Sequence, residues 1–332
     1  MRKARKLWVA AIVLSLSAFT AYAESGLPLK IAVEFTDHAA SAYVARDKGW
    51  FEEKGLKPIF YSYITGMSLA AALGRGDIEA AYMCLLPAIN AWANARVPIK
   101  IVAGTHKHGY GVAVNPGKIN TIKDLERSDI RIGSVQVGGP VDAILLKTIE
   151  KYGLDRRKVL NRVRRMNPPM QIIAIKMGKL DASFIPEHWP AMAEEAGFKI
   201  LLSSQDVWPE MQGSVLIVKE ELINTHPEIV RKLVKITEKA TGWIKDNPEE
   251  AATVLARQLQ IAGDKVFPGK AAELATKLPI TPEVVRRSMD RLEYTIHIDP
   301  WAVQDTVDFA AQQGYIQKSF SAQDILDLRF SQ

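Results

Sequence analysis

Glu187, His188 and Trp189 stand in a row between Pro186 and Pro190. A carboxylate, an imidazole and a flat indole on a turn stiffened by two prolines are the parts of a ligand-binding wall. The plainer alternative is a helix start with Glu187 on the surface. Thr36, Asp37 and His38 offer a second acid and imidazole, and Thr65, Gly66 and Ser68 offer small and hydroxylated groups. Catalytic motifs fall short. Gly66-Met67-Ser68-Leu69-Ala70 approaches a nucleophile elbow, but Ala70 stands where the tight turn needs its second glycine. Gly133-Ser134-Val135-Gln136-Val137-Gly138-Gly139 approaches a phosphate loop, but Gly139 stands where the lysine must be. His106 and His108 could pinch a metal, yet no third ligand is near them in sequence. Cys84 is the one cysteine, so no internal disulfide forms. Its apolar run, Ala80 to Leu86, suits a small buried residue better than a nucleophile. A binder that is not an enzyme, with no cofactor and no metal, is therefore expected.

Such groups need elements to hold them. Leu29 to Phe35 alternates as a strand, and Ala39 to Lys48 has helical apolar spacing with Gly49 and Gly55 as punctuation. Further strands are expected over 57–63, 78–83 and 99–103, with helices over 69–73 and 87–94 between them. The rhythm restarts with strands at 111–114, 130–135, 163–166, 182–185 and 199–202, separated by helices. Val215 to Val218 is a further strand. Beyond it the chain reads as helix, with starts at His226-Pro227-Glu228, Asn247-Pro248-Glu249-Glu250 and Thr281-Pro282-Glu283. Alternation of this kind predicts an α/β fold of mainly parallel sheets flanked by helices. Two similar units predict two lobes joined by a two-strand hinge. The expected division is 24–113 with 213–332 for one lobe and 114–212 for the other, after a leader over 1–23.

In open α/β sheets, ligands sit beyond the carboxyl ends of the strands. The residues there are Thr36, Asp37 and His38, then Thr65, Gly66 and Ser68, then Cys84 and Leu85. In the second unit they are Gln136, Val137 and Gly138, then Pro186, Glu187, His188 and Trp189. Several precede helices, whose free N–H groups suit an anionic or acceptor-rich ligand. The set holds two acids and a tryptophan but no arginine. That composition tilts toward a neutral or cationic heteroaromatic ligand.

Arg2, Lys3, Arg5 and Lys6, an apolar run from Leu7 to Phe19, and Ala21-Tyr22-Ala23 have the layout of a secretory signal peptide. Cleavage after Ala23 and a periplasmic location are expected. The run of 13 residues is short for a membrane span. The formal charge of +6 falls to about +2 once the four basic residues of the leader are removed. That small balance argues against nucleic acid as a partner. The basic residues at 156–158 and 162–165 read as solvated surface.

Ordered along the chain are four further segments. They are Ala45-Arg46-Asp47-Lys48-Gly49-Trp50-Phe51-Glu52-Glu53-Lys54-Gly55-Leu56, Gly74-Arg75-Gly76-Asp77-Ile78-Glu79-Ala80, Ile119-Asn120-Thr121-Ile122-Lys123-Asp124-Leu125 and Gly178-Lys179-Leu180-Asp181-Ala182. In type, order and spacing they resemble the periplasmic proteins that bind nitrate, sulfonates, taurine and thiamine-pyrimidine precursors. The resemblance implies the type-2 periplasmic binding fold and delivery of a small molecule to an ABC permease in the inner membrane; a monomer is expected. It also implies that a glutamate in the Glu187 loop could contact an amino-pyrimidine ring. Two other functions stay open: an enzyme of the thiamine-pyrimidine synthase type on the same fold, and a ligand sensor for a membrane receptor.

Overall fold

Leu29–Glu34 forms the first strand, β1, and every side chain in it except Lys30 is buried. A strand covered on both faces reads as a nearly continuous apolar run. The computed structural model describes residues 28–267 and 280–331. The leader expected over 1–23 lies outside the described residues. The other strands are β2 (Pro58–Tyr63), β3 (Ala80–Cys84), β4 (Ile99–His108), β5 (Tyr110–Val114), β6 (Ile132–Ser134), β7 (Val163–Arg165), β8 (Ala182–Pro186), β9 (Lys199–Ser203), β10 (Gln212–Lys219) and β11 (Leu292–Tyr294).

They form two sheets, ordered β11-β4-β10-β3-β1-β2 and β7-β6-β8-β5-β9. The pairs β1–β2, β1–β3, β6–β7 and β6–β8 are parallel. The antiparallel pairs all involve β4, β5 or β10. Each sheet is thus a parallel βαβ half with antiparallel strands added. Of the strands in these antiparallel pairs, β4, β5 and β10 flank the passages of the chain between lobes. β4 runs directly through Gly109 into β5, and β10 brings the chain back after β9. The first crossing therefore lies at Gly109, a few residues before the boundary expected at 113 and 114. Gly109 has φ +89°, and a Cβ there would lie 2.7 Å from the His38 ring. Only glycine fits this crossing.

Helices cover both faces of the sheets. Pro227–Asp246 buries Ile229, Val230, Leu233, Val234, Ile236 and Ala240. That spacing puts one apolar stripe down the helix. Pro227, Pro248 and Pro282 each open a helix, as read from sequence. Thr281 caps the last of these by accepting from the Val284 amide. Two apolar cores result, one on each side of the sheets, and each runs through both lobes. Among the described residues, no helix is long and apolar enough to cross a membrane.

Candidate functional site

The strand ends of the two lobes face each other across a narrow cleft. The first lobe supplies Glu34 at the end of β1 and Thr36 just after it, Ile64, Thr65, Gly66 and Met67 after β2, and Cys84 at the end of β3. The second supplies Tyr110, Val135, Gln136, Gly139, Pro140, Val141, Pro168 and Pro186. Two helices begin at this cleft, Gly66–Gly74 from one lobe and Pro140–Lys151 from the other. Their first amides and dipoles favour acceptor-rich groups placed between them. A capping box built from Thr65 and Ser68 opens the first of them. The Ser68 hydroxyl donates to the Thr65 carbonyl at 2.7 Å and accepts from the Thr65 amide at 3.3 Å, as a helix cap does.

Side-chain hydrogen bonds span the lobes at the cleft. Gln136 Nε2 donates to Thr65 Oγ1 at 3.2 Å, and Asn90 Nδ2 donates to the Gly138 carbonyl at 3.2 Å. The lobes are therefore closed on one another. Val137 beside them is exposed.

Glu34 is the acid of the cleft. Its Oε1 accepts from the Cys84 amide at 2.7 Å, and its Oε2 accepts from Cys84 Sγ at 3.0 Å. Tyr110 donates its hydroxyl to Cys84 Sγ at 3.0 Å. His38 stands behind this group. Its Nε2 donates to the Gly109 carbonyl at 2.7 Å, and its Nδ1 lies 3.6 Å from Cys84 Sγ. A carbonyl only accepts, so Nε2 carries the proton and Nδ1 turns a lone pair to the sulfur. Burial pulls the His38 pKa down to about 4, so its ring is neutral. Burial also raises the Glu34 carboxyl, against the lowering effect of its bonds from Cys84. The Cys84 thiol is pushed well above its usual range by burial and by the Glu34 charge. Gly66 makes this arrangement possible, because a Cβ there would meet Glu34 Oε1 at 2.4 Å and Pro87 at 2.7 Å.

The expected site residues thus divide. Thr36, Thr65, Gly66, Cys84 and Gln136 line the cleft. Ser68, Val137 and Gly138 flank it in the same loops. Asp37, His38, Glu187, His188 and Trp189 are buried behind it. The ligand-wall reading of Trp189 gives way to a structural one. Its ring packs 5.9 Å from Phe35 and 4.5 Å from His188, within the core. Glu187 is neither on the cleft nor on the surface, since Arg291 takes it as a buried ion pair at 2.5 Å. Asp37 accepts from Ser288 on the same side. Burial, and then the charge of Glu187, push the Asp37 pKa up to about 8. Among the described residues His106 and His108 join no third ligand. Among the described residues the grouping of possible metal ligands is Glu34, His38 and Cys84.

Glu34 and Tyr110 were missed as site residues. The acid at the end of a mostly apolar strand was the signal for Glu34, because a buried charge at a strand end needs a purpose. For Tyr110 no local signal exists, as its place depends on the crossing at Gly109.

The architecture and the cleft define a two-lobed protein with the periplasmic binding fold. The chain belongs to the NMT1-like family, whose profile matches residues 24–259. A Brucella abortus chain described only as a binding protein is 25% identical over 227 residues, covering 66% of this chain and 67% of that one. Among solved structures, the alkanesulfonate-binding protein SsuA of Xanthomonas axonopodis pv. citri, bound to MOPS, superposes with a TM-score of 0.72. It is 18% identical and covers 91% of this chain and 98% of its own. The aliphatic sulphonate-binding protein SsuA of Escherichia coli gives a TM-score of 0.71 at 17% identity, over 90% and 96% of the two chains. The nitrate-binding protein NrtA of Synechocystis PCC 6803 gives 0.72 at 15% identity, over 92% and 86%. At these identities the likeness carries the fold alone.

Proposed function

We propose that this protein is the periplasmic solute-binding component of an ABC importer, which closes its two lobes on a small organic solute and presents it to a membrane permease. The observation that carries the reading is the cleft itself. It is lined from both lobes by strand ends and helix starts, and Gln136 and Thr65 bridge it. The family and the binding proteins that share the fold support the same reading.

The cleft lining favours one solute chemistry. Helix starts at Gly66 and Pro140 suit an acceptor-rich end, such as a sulfonate or a ring nitrogen. Glu34 suits an end that donates N–H bonds. No arginine or lysine lines the cleft among the described residues. Solutes with both kinds of end, taurine-like or amino-pyrimidine-like, therefore fit better than nitrate. An enzyme on the same fold is disfavoured by the capping role of Ser68. A sensor would use the same closure with another membrane partner.

Thermal-shift screening of the purified protein against sulfonates, taurine, nitrate and amino-pyrimidines tests this reading. A solute that binds only the native state stabilises it by about 2.7 kcal/mol at roughly a hundredfold excess over its Kd. The solute found should leave the lobes closed and compact in solution scattering, while the solute-free protein populates a larger radius of gyration. No shift with any of these solutes, or identical scattering with and without one that binds, overturns the proposal. Sequencing the exported protein from its N-terminus checks the location, with Glu24 expected first.

A further inference from the structure

Glu34, His38 and Cys84 are all buried, and one donor atom from each lies within 4.8 Å of the others. The thiol is 3.0 Å from the carboxylate and 3.6 Å from the imidazole Nδ1. A tetrahedral zinc-type ion, with bonds of about 2.3 Å to sulfur and about 2.0–2.1 Å to nitrogen and oxygen, sets its ligand atoms about 3.3–3.6 Å apart. Small side-chain shifts thus suffice to turn this trio into three corners of a tetrahedron.

We propose that Glu34, His38 and Cys84 hold one borderline-soft divalent cation of the zinc type at the floor of the cleft.

Three independent features support the site. First, the ring of His38 is already oriented. Its Nε2–H is fixed on the Gly109 carbonyl, which leaves Nδ1 as the ligand atom. Second, the sulfur has outer donors. Tyr110 donates to Sγ at 3.0 Å and Ser214 at 3.6 Å, and such donors steady a metal-bound thiolate. Third, the charges balance. A carboxylate, a thiolate and a neutral imidazole carry two negative charges, which a divalent cation cancels in a buried place. On binding, the thiol proton leaves to solvent. Glu34 and Cys84 line the cleft while His38 reaches in from behind, so the fourth position of the ion faces the cleft. A three-ligand set with one open position can also take a donor atom from a bound molecule.

The inference rests on the trio and not on the importer reading. The test uses metal alone. Protein stripped with a chelator and kept reduced is titrated with Co²⁺ and then with Zn²⁺. One equivalent of Co²⁺ should give intense tetrahedral d–d absorption and a near-ultraviolet sulfur-to-cobalt charge-transfer band. One equivalent of Zn²⁺ should erase both. Cys84→Ser should abolish the charge-transfer band. Tyr110→Phe, which removes an outer hydroxyl, should weaken the metal by about tenfold. Circular dichroism checks that each variant is folded. Should one fail to fold, X-ray absorption of zinc-loaded wild type decides, with one sulfur expected at about 2.3 Å. Absence of a stoichiometric cobalt band, or a zinc shell without sulfur, overturns the inference. Organic solutes are screened separately on the chelator-treated protein, so this inference and the importer reading can fail independently.

Discussion

Arg291 Nε donates to Glu187 Oε1 at 2.5 Å, and its Nη2 reaches Oε2 at 3.3 Å. Arg291 follows the helix Pro282–Met289 of the first lobe, and Glu187 follows β8 of the second. The pair ties the lobes together behind the cleft. Arg287 adds contacts to Glu194 and Glu195, but these are partly exposed and contribute little.

Removing Arg291 leaves a buried carboxylate without its counter-charge. Arg291→Ala should therefore cost about 3 kcal/mol in chemical denaturation. A stability loss below about 1 kcal/mol would show that the pair is not the tie described.

Asp37 gives the protein a pH dependence with a definite sign. Its folded pKa is raised to about 8 from 3.8. Between those values the folded protein holds a proton that the unfolded chain has lost. Stability from this group therefore falls as pH rises, by at most about 1.4 kcal/mol per unit. Asp37→Asn keeps an acceptor for Ser288 and removes the titration. Melting temperatures from pH 5 to pH 8 should fall less steeply in the variant than in wild type. Parallel profiles would refute the assignment.

Trp189 is a core residue, 1% exposed, packed against Phe35 and His188. Trp189→Ala should cost about 3–5 kcal/mol of stability. Among variants that stay folded, Trp189→Phe should retain solute affinity within threefold. A large affinity loss at unchanged stability would return Trp189 to the ligand wall.

Gly66 tests the cleft. A methyl group at this position meets the Glu34 carboxylate and Pro87 at less than 3 Å. Gly66→Ala should push Glu34 aside and weaken solute binding tenfold or more in calorimetry. The fold should survive, since Gly66 opens its helix and alanine is a good helix former. Unchanged affinity would mean that Glu34 does not touch the solute.

Much of this architecture could be read locally. The strand character of β1, the proline starts at Pro227, Pro248 and Pro282, and the order of strands and helices depend on near neighbours in the chain, and two α/β lobes followed from them; the alternation expected of β1 did not hold, since both of its faces are covered. The strand-end rule also led to Thr36, Thr65, Gly66, Cys84 and Gln136, because where a parallel strand ends is a local event. What a side chain meets after that is not. Glu187 lies 104 residues from Arg291, and Asp37 lies 251 from Ser288. Nothing near either acid marks it as paired, so both were expected at the ligand. Cys84 likewise looked like a small apolar filler, yet Glu34 and His38 reach it from 50 and 46 residues away. The direct passage of β4 through Gly109 into β5 places Tyr110 against the same sulfur. Spacing along the chain sets periodicity, but the partners of a buried charge are chosen by how the sheets and lobes close, because desolvation makes pairing obligatory only once water has been excluded.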